Sequence, residues 1–296
     1  MSPLNVGDDI AVIAPSGFVD PTRLASGLTK LSSWDLNISE GKYLRSKHNY
    51  FSGTDSQRLS DLQWALDAPN IKAVFCARGG YGLSRIIDKI DFSGFVKSPK
   101  PIIGFSDITL LHIAIQALGF TSIHACMVAQ FGNEEYLTSV KKLEDLLFKK
   151  ETQYVIKYNS EFPSSGQIVG GNLRMIVDSL ATSYEINTNG KVLLIEEIGE
   201  GYYKIDRMLQ HLRRAGKFDS VQGILLGHFT ELSDSTPSFG MSVLEIVEEA
   251  TKGLNIPIIS NYSAGHAPPN YPVVLGGSFK IINEPPEQCK IVFDLS

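Results

Sequence analysis

Residues 101–115 constrain the fold more than any other stretch. The apolar pair Ile102 and Ile103 reads as the end of a buried strand, and Ile108, Leu111, Ile113 and Ile115 as the helix that follows. Phe105, Ser106 and Asp107 stand between them at a strand-to-helix corner. A serine there is held at the C-terminal edge of a sheet and at the positive end of a helix, where backbone N–H groups can stabilise an oxyanion. This is the logic of a nucleophile elbow, although the Gly-x-Ser-x-Gly spacing of α/β-hydrolases is absent. The ordinary reading of the same serine is a helix N-cap.

The strand–corner–helix pattern recurs. Ile10–Ala14 is an apolar run ending in Pro15, Ser16 and Gly17, and Ala73–Ala77 is another, broken by Arg78, Gly79, Gly80, Tyr81 and Gly82. Thr54 and Gln57 have the spacing of a capping box, with an apolar stripe of Leu59, Leu62 and Leu66 behind them. A helix through Ile86, Ile87 and Ile90 and a strand at Ser122–His124 complete an α/β pattern that favours a mostly parallel sheet. A charged helix over 140–150 leads into the loop-rich stretch from Tyr158 to Gly166, the candidate linker. Beyond it, strands at Val192–Glu196, Gly223–Gly227 and Pro257–Ile259 alternate with helices after Asn172, through Ile205–Leu212 and at Val243–Ala250. The end reads as antiparallel strands around Pro285 and Pro286. The expectation is a domain over residues 1–150, a linker over 151–166, and a mixed α/β domain over 167–296.

Composition excludes several classes. The 296 residues are 43% hydrophobic and 20% charged, as in an ordinary globular protein. A formal charge of −5 argues against a nucleic-acid or anionic-membrane partner. The start lacks a positive n-region and an apolar h-region, and no apolar run is long enough to span a bilayer. Cys76, Cys126 and Cys289 are isolated and odd in number, which fits a reducing compartment. The expectation is a soluble cytoplasmic protein. Its six histidines show no metal-binding spacing and there is no C-x-x-C, so neither metal nor cofactor is expected. His112 reads as a packing residue on the Ser106 helix, and Cys126 has apolar neighbours and no activating base.

Three further motifs bear on Ser106. Glu196, Glu197 and Glu200 close an apolar strand, where a carboxylate costs desolvation unless it has a partner. His266 sits in a loop of small residues, free to be oriented, and histidine titrates near neutral pH. The glycine-rich loop at 79–82 lacks the spacing of dinucleotide and P-loop motifs. Its backbone N–H groups could equally face an oxyanion, or its glycines could simply supply a turn. Each motif also has a plain structural reading: a solvated strand edge, a surface histidine, a tight turn.

In combination these segments resemble the LD-carboxypeptidase family of serine peptidases, which also contains the microcin C immunity peptidases. The resemblance runs along nearly the whole chain, through Asp9–Gly17, Ala77–Gly82, Ile103–Thr109, Gly170–Leu173, Leu194–Glu200, Ile205–Met208 and Gly265–His266. It implies a Rossmann-like N-terminal domain with a mostly parallel sheet, a mixed α/β C-terminal domain, and a site in their interface. It further implies a triad of Ser106 as nucleophile, Glu196 as acid and His266 as base, with Glu197 as the fallback acid because the double glutamate leaves the register ambiguous by one. Backbone N–H groups of Asp107 and Gly80 would form the oxyanion hole. Arg78, Arg207 and Tyr202 are candidates for binding substrate. The implied activity is release of the terminal D-alanine from muropeptide tetrapeptides in cell-wall recycling, by a homodimer without a cofactor. The rival reading is an immunity-type peptidase that cleaves a peptidyl-nucleotide antibiotic, with Tyr202 and Tyr203 as a platform for the base. A catalytically silent muropeptide binder is the third. One departure stands out: relatives often carry His-Gly-Pro after the nucleophile helix, where this chain has His124, Ala125, Cys126 and Met127.

Overall fold

The apolar runs of the first half become five parallel strands: β1 Asp9–Ile13, β2 Asn37–Glu40, β3 Ala73–Cys76, β4 Ile102–Gly104 and β5 Ser122–His124, in the order β2-β1-β3-β4-β5. The computed structural model describes residues 2–149, 151–156, 161–284 and 288–294. Ile10, Ala11, Val12 and Ile13 are all fully buried, as both-face coverage of a parallel strand demands. The helices between them are α1 Pro21–Ser32, α2 Asp55–Asp67, α3 Ser93–Lys97 and α4 Thr109–Ala117, and α5 Leu137–Lys149 follows β5. Asp20 caps α1 with Pro21 in its first turn, and Thr54 and Gln57 form the expected capping box of α2.

The helix expected through Ile86, Ile87 and Ile90 does not form. Leu83–Arg85 and Ile87–Lys89 are instead two short 3₁₀ turns, closed by Ile86 N–H to Leu83 O and Ile90 N–H to Ile87 O. Gly82 enters at φ 142, outside helical space, and Ile86 breaks the path at φ −126. Burial of Leu83, Ile86 and Ile87 holds the segment without a continuous helix.

The second half runs β6 Glu151–Ile156, β7 Ser165–Asn172, α6 Leu173–Asp178, β8 Val192–Ile198, α7 Tyr202–Arg214, β9 Gly223–Thr230, α8 Val243–Ala250, β10 Ile258–Ile259, β11 Val273–Leu275, β12 Ser278–Glu284 and β13 Gln288–Asp294. The stretch 151–166 thus carries a strand, β6, antiparallel to β13, and the beginning of β7. Residues 157–160, in the candidate linker, and the Pro285–Pro286 turn lie outside the described residues.

The strands β7, β8, β9 and β10 are mutually parallel, and β11 lies parallel to β7 but antiparallel to β5. The two parallel sets therefore run in opposite directions and meet at the β5–β11 seam in one sheet. A single apolar cluster reaches from Ile10 and Phe75 to Ile168, Leu194 and Leu225, so the halves share a core.

The seam fixes where the functional loops arrive. His124, at the end of β5, pairs with Val273, at the start of β11. The loop preceding β11, which carries His266, is thereby delivered to the edge where β4 turns into the Ser106 corner. On the other side, the N–H of Asn172 on β7 donates to Thr109 Oγ1 at 3.1 Å, and Asn172 is in register with Glu196 on β8. Asn172 also caps α6 through Met175 N–H and donates to Glu197. Asn172→Ala is expected to lower the unfolding free energy by about 1–3 kcal/mol, read by denaturant titration, because it removes a cap and leaves a buried carboxylate short of a donor.

Candidate active site

Ser106 leaves β4 in a left-handed conformation, φ 63, rare for a residue with a side chain and costing about 1–3 kcal/mol unless its surroundings impose it. They do. Asp107, almost wholly buried, accepts hydrogen bonds at Oδ2 from Ser16 Oγ (2.6 Å) and the N–H of Leu83 (2.8 Å). The buried Arg58 donates to the carbonyls of Pro15 and Gly82 (2.8 Å for the latter) and forms an ion pair with Asp55. A carboxylate and a guanidinium therefore pin the loop after β1 and the glycine-rich loop from two sides. Burial pushes the Asp107 carboxyl up to about 6, against the lowering effect of its two hydrogen bonds. Gly79 lies so close to the corner that a Cβ there would sit 3.0 Å from Ser106 Cβ. This is the physical demand behind one glycine of the loop. Gly80 beside it has φ 94.

Glu196 is fully buried on β8, and its Oε2 is 2.7 Å from His266 Nδ1. A Cβ on Gly265 would lie 2.8 Å from that same oxygen, so the residue preceding the histidine must be small for the carboxylate to reach the ring. The Phe105 ring packs against His266 with centroids 4.7 Å apart. The loop is fixed by Gly265 N–H to Asn270 Oδ1 and Asn270 N–H to Ser139 Oγ. Burial alone would lower the imidazole, but the charge and hydrogen bond of Glu196 outweigh it and hold His266 above its ordinary value. Burial drives the nearby histidines the other way: His112, bonded to the Gly104 carbonyl, falls to about 4, and His124 and His228 are also lowered. Burial raises Cys126 to about 12, which keeps it a thiol.

Glu197 points elsewhere, as strand alternation requires. It accepts from Asn172 Nδ2, from its neighbour Ile198 N–H and from Arg174 N–H, so its carboxylate is spent at the start of α6.

Ser106 and His266 open on one cavity of about 620 Å³, together with Arg78, Gly80, Tyr50, Arg23, Met127 and Glu231. Arg78 donates to the Phe18 carbonyl at its rim. Arg207 and Tyr202 are not brought there. The stripe of Ile205, Met208, Leu209 and Leu212 turns α7 onto the second-half core. Arg207 is thereby left over the Tyr203 ring in a separate cleft with Arg174, Lys204, His211 and Arg214. Tyr202 packs partly buried against the core. Sequence reading missed Arg23, Tyr50 and Glu231, which belong to no motif. The only signal for Arg23 is its place in the first turn of a helix behind Pro21. Among the described residues no group of three His, Cys, Asp or Glu side chains is placed to hold a metal ion, and no helix is long and apolar enough to cross a membrane.

With the geometry in place, comparison with known proteins is decisive. The LD-carboxypeptidase N-terminal domain family matches residues 10–125, and the LD-carboxypeptidase C-terminal domain family matches residues 165–281. The chain belongs to the LD-carboxypeptidase family. It is by that membership a serine-type carboxypeptidase. The probable murein peptide carboxypeptidase of Bacillus subtilis is 36% identical over 284 residues, covering 92% of this chain and 88% of the relative. The crystal structure of muramoyltetrapeptide carboxypeptidase from Oxalobacter formigenes superposes with a TM-score of 0.85 at 25% identity, over 97% of this chain and 98% of that one. MccF in complex with glutamyl sulfamoyl guanosine, at 20% identity, shares the fold with a TM-score of 0.87 over 100% of this chain and 98% of its own.

The Glu196–His266 pair makes a measurable claim. In Glu196→Gln the charge that raises the ring is gone while burial remains. The His266 pKa, followed by NMR of its ring protons, is expected to fall from above the usual histidine value to below it. An unchanged titration would dissolve the pairing.

Proposed function

We propose that this enzyme removes the terminal D-alanine from muropeptide tetrapeptides through an acyl-enzyme on Ser106, in cytoplasmic cell-wall recycling. The observation that carries this reading is the buried Glu196–His266 hydrogen bond, opening on the cavity that also holds the strained Ser106. The names of the B. subtilis and O. formigenes relatives support the substrate class.

In this mechanism His266 Nε2 takes the proton of Ser106 Oγ as the oxygen attacks the carbonyl carbon of the diamino acid residue. Glu196 holds the Nδ1–H tautomer and stabilises the imidazolium that forms. The oxyanion of the tetrahedral intermediate receives N–H groups of Asp107 and Gly80. Its collapse breaks the C–N bond, and His266 returns the proton to the leaving amine of D-alanine. Water, deprotonated by the same ring, then hydrolyses the ester and frees the tripeptide. Arg78 is the ligand this reading assigns to the terminal carboxylate, because it lines the cavity and Arg207 does not. Tyr202 and Tyr203, the platform named for the nucleotide-antibiotic reading, lie on α7 and do not line this cavity, whose lining tyrosine is Tyr50.

Purified enzyme incubated with a muropeptide tetrapeptide is expected to release one D-alanine by mass spectrometry. Ser106→Ala should lower kcat by at least about 10³-fold with the fold intact. A loss below tenfold would remove Ser106 from the nucleophile role, and a turnover-free wild type would favour the silent binder. Because the attacking step needs neutral His266, kcat/KM should fall as pH drops through a value above 6.5. In Glu196→Gln the residual activity should carry that limb to lower pH, whereas Glu197→Gln, which removes a weaker charge and no hydrogen bond to the ring, should move it less.

A further inference from the structure

The lining of the cavity around Ser106 carries charges of both signs. Arg23 and Arg78 contribute cations from the first half, and Glu231 contributes a carboxylate from the second. Asp20, also on the wall, is committed to capping α1 through the Arg23 N–H. Glu231 has no such commitment: among the described residues its carboxylate makes no ion pair or hydrogen bond. It nevertheless occupies a left-handed backbone position, φ 52, directly after β9. That conformation suits glycine or asparagine, and a glutamate there carries strain without local hydrogen bonding by its side chain to account for it. The flanking loops are tied by backbone bonds, Gly199 N–H to Thr230 O, Ser233 N–H to Glu200 O and Tyr202 N–H to Ser233 O, and by side chains other than Glu231, with Asp234 accepting from Ser238 and Phe239 N–H and Glu200 paired with Lys204. The β8–β9 pairing, shifted by an irregularity between Ile195 and Glu197, sets Ile198 opposite Thr230, so that Ile198 and Glu231 bring the ends of β8 and β9 to the cavity that Arg23 and Arg78 also line.

We propose that Glu231 is a specificity-determining residue that receives the side-chain ammonium of the residue on the acyl side of the scissile bond. The assignment rests on the carboxypeptidase reading above. With the terminal carboxylate at the arginines and the carbonyl between Ser106 and His266, the acyl-side side chain projects toward Glu231, and an ammonium is the group a lone carboxylate there recognises. Glu231 also contributes to raising His266, which places its charge on the base side of the cavity.

The test uses three tetrapeptides ending in D-alanine, with L-lysine, Nε-acetyl-L-lysine or L-norleucine as third residue, on wild type and Glu231→Gln. Wild type is expected to favour lysine over norleucine by about tenfold or more in kcat/KM, and Glu231→Gln to bring that ratio near unity. A variant that slows all three peptides alike, or shifts the pH profile while keeping the lysine preference, overturns the proposal and leaves Glu231 as a tuner of His266. Calorimetric binding of the lysine and norleucine peptides to Ser106→Ala, with and without Glu231→Gln, separates the two readings. If wild type turns over none of the peptides, the carboxypeptidase reading fails. A lysine preference in binding that disappears with Glu231→Gln still supports the recognition role, and equal binding of the two peptides overturns it.

Discussion

A carboxylate removed from water with one polar partner is the interaction on which this site depends. Glu196 is fully buried on β8, its Oε2 meets His266 Nδ1, and its Oε1 has no partner among the described residues. An ionised group in that setting is costly unless a donor is fixed against it. Three elements conspire to supply the donor: the β5–β11 seam delivers the loop, Gly265 clears the path, and Asn270 and Ser139 hold the turn. The same arrangement gives the imidazole one tautomer and an elevated pKa, the two properties a general base for a serine requires.

The proposed nucleophile is held by a different device. Ser106 is strained, and strain persists only where neighbours over-determine it. Here the neighbours are buried charges. Asp107 draws in Ser16 and Leu83 while Arg58 draws in Pro15 and Gly82, so both loops beside Ser106 are tied from opposite sides. The N–H groups of the corner and of the glycine-rich loop are therefore fixed by the fold, which is what the proposed oxyanion site needs to avoid reorganisation during the reaction.

Much of this was legible in the sequence because it is local. The strand-to-helix corner at Ser106, the capping box of Thr54 and Gln57, and the α/β alternation all arise from spacing within one or two elements. The structure departs where the deciding contact is distant. Alternation sends Glu196 and Glu197 to opposite faces of β8, but only the tertiary fold says which face His266 reaches. Periodicity removes Arg207 from the apolar stripe of α7 without saying which cleft it enters. The isoleucines at 86, 87 and 90 look helical, yet Gly82 and the hold of Asp107 on Leu83 leave room for only two 3₁₀ turns. In β6 the buried Thr152 and Tyr154 alternate with exposed residues, a period-2 signal outweighed by the loop composition that follows it. Arg23 and Glu231 line one cavity from elements some two hundred residues apart, and no local pattern announces them.

The continuity of the sheet bears on how such a site works. Ser106 comes from one set of parallel strands and Glu196 and His266 from the other, but the sets are joined by backbone hydrogen bonds at β5–β11 and by a shared core rather than by a hinge alone. Relative motion of the halves would have to break that ladder, so the placement of the proposed base and nucleophile is a property of the folded state and not of a closing step. What remains free to vary is the cavity wall. MccF shares this fold at 20% identity, and a shared fold does not by itself fix a ligand. The choice falls to exposed side chains on loops after the strands, where a substitution alters charge at the rim without touching the pinned loops or the buried pair beneath.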